Sequence, residues 1–188
     1  MELSQLIRAR RSIHRFEERE VSLEIVKDML DTAVWAPNHR MTQPWRFVIV
    51  HGEGRKRIAE INPKGKGLLK SDPEKAKEAG TNFYHKMMNV PMFVIVVMKE
   101  NPVIAIREED YAATSCVIQN FGLLAWEQGI GMVWESYGFM HEAAFREAVG
   151  VQPGEKVVGS LHVGYAAQVP NPQNRVPATD RMTIIDQA

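Results

Sequence analysis

Three stretches of the chain gather side chains that do chemistry. In Arg10-Arg11-Ser12-Ile13-His14-Arg15-Phe16, six consecutive residues supply three guanidiniums, a hydroxyl and an imidazole. Guanidinium grips phosphate oxygens in pairs, and a serine hydroxyl completes such a shell. The plainer reading of the same cluster is a solvated helix end, where cations complement the C-terminal dipole. The second stretch is Trp35-Ala36-Pro37-Asn38-His39-Arg40-Met41-Thr42-Gln43-Pro44-Trp45-Arg46-Phe47. Two prolines hold a polar loop ahead of an apolar run, a place where binding groups are displayed. A rigid connector with a core tryptophan at each end would look similar, although Asn38, His39 and Gln43 suit that role less well. The third is Gly129-Ile130-Gly131-Met132-Val133-Trp134-Glu135-Ser136, where glycine permits close approach and Trp134 offers a flat face beside Glu135 and Ser136. A tight turn followed by a core tryptophan would read the same way.

Other signatures stop short. His141-Glu142-Ala143-Ala144-Phe145 opens like a zinc-protease helix, but Phe145 stands where the second ligand belongs. Gly52-Glu53-Gly54 follows a strand-like run, yet Arg57 occupies the third glycine position of a dinucleotide loop. Gly65–Ser71 lacks the spacing of a phosphate loop. The six histidines include no pair at i, i+4, and there is no nucleophile elbow. Hydrolase and nucleoside-triphosphatase chemistry fall away, and no metal site is expected.

Composition bounds the rest. Of 188 residues, 23 are Lys or Arg and 23 Asp or Glu, so bulk charge gives no hold on nucleic acid. Hydrophobic residues make up 45% of the chain, enough for a folded core in one domain. The single cysteine, Cys116, cannot form an internal disulfide. The N-terminal residues lack a secretory apolar run, and Val90–Met98 is far shorter than a membrane span. A soluble, cytoplasmic, single-domain chain is expected.

These stretches need elements to position them. Helical spacing predicts a short helix over Ser4–Arg10, with Ser4 as its cap, and a second from Ser22 to Trp35-Ala36. Trp45–His51, Val90–Lys99, Gly129–Ser136 and Lys156–Tyr165 read as strands. Short helices are expected over Arg55–Ile61 and His141–Val149. Asn62–Gly80 reads as an excursion that is partly helical after Pro73. Glu108–Gln128 is apolar nearly all round, which predicts a helix buried in the fold or in an interface. From Ala166 the chain carries Pro170, Pro172 and Pro177, the pattern of an extended arm. The class is α+β, a sheet with helices on its faces, and a second copy is the simplest support for the arm.

Together, in this order, the motifs resemble one family, the FMN-dependent nitroreductases. The likeness rests on Arg-Arg-Ser-x-x-x-Phe, on Ala-Pro-x-x-x-x-x-Gln-Pro-Trp-x-Phe, on Gly-x-Gly-x-x-Trp and on Val157–Tyr165 with its Pro-rich tail. Asn38-His39 after Ala-Pro and Trp134-x-Ser136 are similar to a compact NAD(P)H nitroreductase branch. The resemblance implies a central, mostly antiparallel sheet flanked by helices. It also implies a homodimer with FMN at the interface and residues 166–188 as a domain-swapped arm onto the partner.

By the same resemblance, Arg10, Arg11, Ser12 and His14 hold the phosphate, ribityl chain and pyrimidine edge of FMN. Trp35, Asn38 and His39 reach the flavin bound mainly by the other subunit. Trp134, Glu135 and Ser136 lie along the ring, Arg175 adds to the phosphate site, and Leu124–Gly129 takes the nicotinamide nucleotide. His14 stands where many relatives carry lysine or arginine, which implies a pH-sensitive flavin potential. Met41 and Trp35 also depart from common residues and leave the pocket's shape open. The implied reaction carries hydride from NADH or NADPH through FMN to a nitroaromatic, quinone or similar electrophile, in ping-pong order and with no protein nucleophile. A flavin-binding carrier or sensor, and a flavin-free module docking an acidic partner, are the alternatives.

Overall fold

Four strands form one sheet in the order β1-β2-β4-β3, antiparallel at every pairing. They are β1 (Trp45–His51), β2 (Met92–Lys99), β3 (Ile130–Glu135) and β4 (Glu155–Tyr165). The computed structural model describes residues 2–61 and 72–187. The apolar run Met92–Met98 is buried along its whole length because β2 is covered on both faces. Met92, Val94, Val96 and Met98 face a core shared with α2 (Leu23–Ala33) and α5 (Ile104–Glu127). Phe93, Ile95 and Val97 face a second core, which includes Ile58 of α3 (Lys56–Ala59), Met87 of α4 (Pro73–Met88) and Phe145 of α6 (Ala143–Ala148).

The expected elements are present, with shifted ends. The first helix, α1, spans Leu3–Ala9 and has Glu2 at its cap, whose carbonyl accepts from Gln5 and Leu6. Ser4 therefore lies inside the first turn and caps nothing. Helix α5 begins at Ile104, ahead of the expected Glu108, after Asn101 Oδ1 accepts from the Val103 N–H at 2.9 Å. Of the 62–80 excursion, residues 62–71 lie outside the described residues. The remainder opens α4, with Pro73 in the first turn and the Asp72 side chain accepting from the Glu74 N–H at 3.0 Å.

All-round burial of α5 does not hold within one chain. Ala113, Val117, Ile118, Phe121 and Ala125 are buried, while Ala112, Cys116 and Gln119 are exposed. Residues 167–187 are exposed and, apart from one helical turn at Ala178–Arg181, extended, with Ile184 and Ile185 in the open. No helix among the described residues is long and apolar enough to cross a membrane.

Candidate functional site

The opening cluster is placed by the sheet. Ser12 pairs with Met132 of β3 in an isolated parallel bridge, and the Ile13 N–H donates to the Met132 carbonyl at 3.0 Å. Ile13 is fully buried above Gly131, where an added Cβ would lie only 2.8 Å from the Ile13 Cβ. The close approach that this glycine permits is thus made by the protein's own Ile13. Further along, Phe16 bridges to Ala166 and fills the space over Gly164. Arg10, Ser12 and His14 are thereby fixed beside the end of β3.

The arginines of this region are uncompensated. Burial lowers the Arg10 pKa from its ordinary value, and the charges of Arg11 and Arg175 lower it further. Arg175, far away in sequence, therefore shares a neighbourhood with Arg10. Arg11 Nη1 donates to the carbonyls of Arg8 and Arg10, at 2.7 and 2.8 Å, so this residue does meet the helix end. Arg175 Nη1 donates to the carbonyls of Gln173 and Asn174. Among the described residues, none of the three forms an ion pair with a carboxylate. Three guanidiniums without a counter-charge have the chemistry of an anion site.

Next to them the end of β3 forms a shelf. Trp134 Nε1 donates to the Val158 carbonyl at 3.2 Å, and the indole lies across Gly159, where any side chain would collide with it. The ring is held against β4 yet stays 37% exposed. His14 Nδ1 stands 3.6 Å from Glu135 Oε1, and Ser136 is exposed. Sequence reasoning missed the residues behind this shelf. Tyr137 stacks on Phe139 and accepts from Lys86 Nζ at 3.1 Å. Its phenol pKa is pushed up by burial and by the Glu135 carboxylate. His162 lies behind it, edge-on to Phe93 at 4.9 Å, and its Nε2 has no hydrogen-bond partner. Burial, then Lys86 and His14, lower its pKa to about 3, so it is neutral near pH 7. The one signal for it was an imidazole inside the apolar run of Lys156–Tyr165.

The Ala-Pro loop is held differently. Asn38 Oδ1 accepts from the Gln43 N–H at 2.6 Å, and its Nδ2 donates to Thr42 Oγ1 at 3.1 Å. Thr42 Oγ1 in turn donates to Asp110, a carboxylate buried in α5. His39 Nδ1 lies 2.8 Å from Glu109 Oε2 on the same helix. Arg40, Met41 and Gln43 have φ of 60°, 49° and 43°, the left-handed region in which a non-glycine residue is strained. Trp35 is 88% exposed at the start of the loop.

The expected residues therefore form two groups in one chain. Arg10, Arg11, Ser12, His14, Trp134, Glu135, Ser136 and Arg175 belong together; Asn38 and His39 do not join them, and Trp35 stands exposed just past Ala33, whose carbonyl accepts from Asn120 Nδ2. Helix α5 measures the gap. The Arg10 side chain passes 3.7 Å from the Cβ position of Gly122, whereas the loop rests on Glu109 and Asp110. At the rise of an α-helix, Asp110 and Gly122 are about 18 Å apart along the axis. Leu124 lies in neither group: it lines an open groove of about 290 Å³ with Leu3, Leu6, Thr32, Asn120, Leu123 and Glu127. Glu127 is the one charge on that lining among the described residues, a poor match for the phosphates of a nicotinamide nucleotide.

Comparison with known proteins gives a consistent result. The family model described as the nitroreductase family matches residues 7–165. A protein of Bacillus subtilis (strain 168) named "Putative NAD(P)H nitroreductase YfhC" is 41% identical over 181 residues, 96% of this chain and 93% of that protein. The crystal structure of a nitroreductase-like family protein from Bacillus cereus superposes with a TM-score of 0.88 at 35% identity, covering 100% of this chain and 97% of the other. The structure of a "putative nitroreductase in complex with fmn" from Desulfovibrio desulfuricans has the same fold, with a TM-score of 0.75 at 21% identity and coverage of 100% and 99%.

Proposed function

The chain belongs to the nitroreductase family, and from that premise we propose that it is an FMN-dependent NAD(P)H oxidoreductase formed by one domain over residues 1–188. The observation that carries this reading is the uncompensated group of Arg10, Arg11 and Arg175 beside the Trp134 shelf. An anionic group with a flat ring attached fits both features, and FMN is such a molecule. The guanidiniums and the Ser12 hydroxyl would hold its phosphate, and Trp134, Glu135 and Ser136 would run along the ring. Bound there, FMN supplies hydride transfer between a nicotinamide donor and an electrophilic acceptor.

The chain's own residues do the rest. Arg10 and its neighbours bring positive charge and N–H donors to the anion. Trp134, hydrogen-bonded to Val158 and laid across Gly159, gives the ring a flat surface. His14 and Glu135 border the same place and set its polarity.

A homodimer completes the assignment. The Asn38–Gln43 loop lies too far along α5 to serve the Arg10 group of its own chain, so a second copy supplies it. The exposed side of α5 and the apolar residues Ile184 and Ile185 of the arm are the surfaces such a partner covers. Nitroaromatics, quinones and related electrophiles are the acceptors, taken in turn with the nicotinamide on one shelf.

The purified protein is expected to be yellow, to bleach with NADH or NADPH, and to regain colour when a nitroaromatic or quinone is added. Colour without bleaching would leave a flavin carrier. A colourless protein that takes up no FMN would end the reading.

A further inference from the structure

Glu109 and His39 form a pair that the proposed reaction has work for. At 2.8 Å, Nδ1–H donates to the Glu109 carboxylate, which fixes the tautomer and leaves Nε2 free. The loop that carries the ring is tied as well, since Asn38 is bound to Gln43 and Thr42 and Thr42 to Asp110. The turn His39–Met41 rests on α5, where the charged groups it meets are Glu109 and Asp110, and Asp110 is engaged by Thr42. The His39 side chain is 62% exposed in one chain, so Nε2 is open to a ligand held by a second copy.

Reduction of the acceptor needs a proton as well as a hydride. A quinone that receives one hydride becomes a hydroquinone only with one further proton. A nitro group that receives one hydride and one proton yields a nitroso group and water. Among the described residues, the other half of the site holds no imidazole oriented by a hydrogen bond to a carboxylate. A guanidinium is a hydrogen-bond donor, not a source of protons near neutrality. The phenol of Tyr137 is held protonated by burial and by Glu135. His162 is buried and neutral. His14 stands 3.6 Å from Glu135, too far for a hydrogen bond to fix its ring.

We propose that the Glu109–His39 pair delivers this proton to an acceptor bound on the partner's flavin. Protonated at Nε2, the His39 ring would give that proton to the acceptor oxygen as the acceptor takes its hydride, and water would then reprotonate the ring. Glu109 is the positioning residue. The inference rests on the flavin-reductase reading and on the second copy.

Two measurements test it. In the first, reduced, flavin-loaded protein is reoxidised by benzoquinone, which needs a proton, or by ferricyanide, which takes electrons alone. The ratio of the two rates falls about 100-fold in His39→Gln and about tenfold in Glu109→Ala. In the second, which involves no turnover, ¹⁵N-histidine NMR places the proton of neutral His39 on Nδ1, and Glu109→Ala moves it towards Nε2. The His39 signals are those lost in His39→Gln. Should His39→Gln come without flavin, Glu109→Ala carries the rate comparison. Unchanged ratios, an unchanged tautomer in Glu109→Ala, or a fall produced by His14→Gln instead would overturn the proposal. Wild-type protein without flavin removes the reading beneath it, a failure seen before any variant is made.

Discussion

Around Arg10 the backbone does the positioning, whereas around His39 side chains do. The first group hangs on a parallel bridge to Met132, on Ile13 seated over Gly131 and on an indole laid across Gly159. None of its own backbone is left-handed outside glycine. The second group has three left-handed non-glycine residues among Asn38–Gln43, restrained by hydrogen bonds to α5. A bridge backed by close packing on Gly131 and Gly159 leaves little room for local change. A strained loop tied by a few polar contacts is more easily shifted, which suits a segment that must meet a second molecule.

The largest effect is expected at Gly131. Gly131→Val drives a branched side chain into Ile13 and is expected to destabilise the fold by about 3 kcal/mol and to release flavin. Urea unfolding and the flavin content of the purified protein measure both effects. Replacing Arg10 and Ser12 together by alanine should leave the fold intact while FMN affinity drops about 100-fold. Fluorescence titration of the apoprotein reads it, and retention of full affinity would show that the phosphate lies elsewhere. On the loop side, Asp110→Ala removes the anchor of Thr42 and is expected to cost about 2 kcal/mol. Amide exchange should then accelerate over residues 38–43 more than over residues 10–16; the reverse order would contradict the division drawn above. The smallest effect has the opposite sign. Arg40→Gly relieves the left-handed strain and should stabilise the protein by about 0.5–1 kcal/mol in thermal unfolding.

The same contrast explains what the residues disclosed before the fold was seen. Glycines at 129 and 131, the arginine pair and the Met92–Met98 run carry signals in their own identity and spacing, so the sheet and the Arg10–His14 cluster were legible, whereas Arg175 was reached only through the family resemblance. At Arg40, Met41 and Gln43 no glycine announces the left-handed backbone. The residues that hold them, Glu109 and Asp110, lie about 70 positions away on a helix that reads as apolar. His162 was hidden for a related reason, because a strand buried on both faces does not tell which neighbours its one imidazole will meet. The all-round apolar character of α5 was visible, but one chain uses only part of it.

The roughly 18 Å that α5 places between the two groups also has a genetic consequence. If each site takes one group from each copy, a variant defective at Arg10 and another defective at His39 are each inactive alone. Unfolded and refolded together, they form mixed dimers in which one site carries both lesions and the other carries none. Two dead proteins would thus yield a working one, with half the sites of each mixed dimer restored.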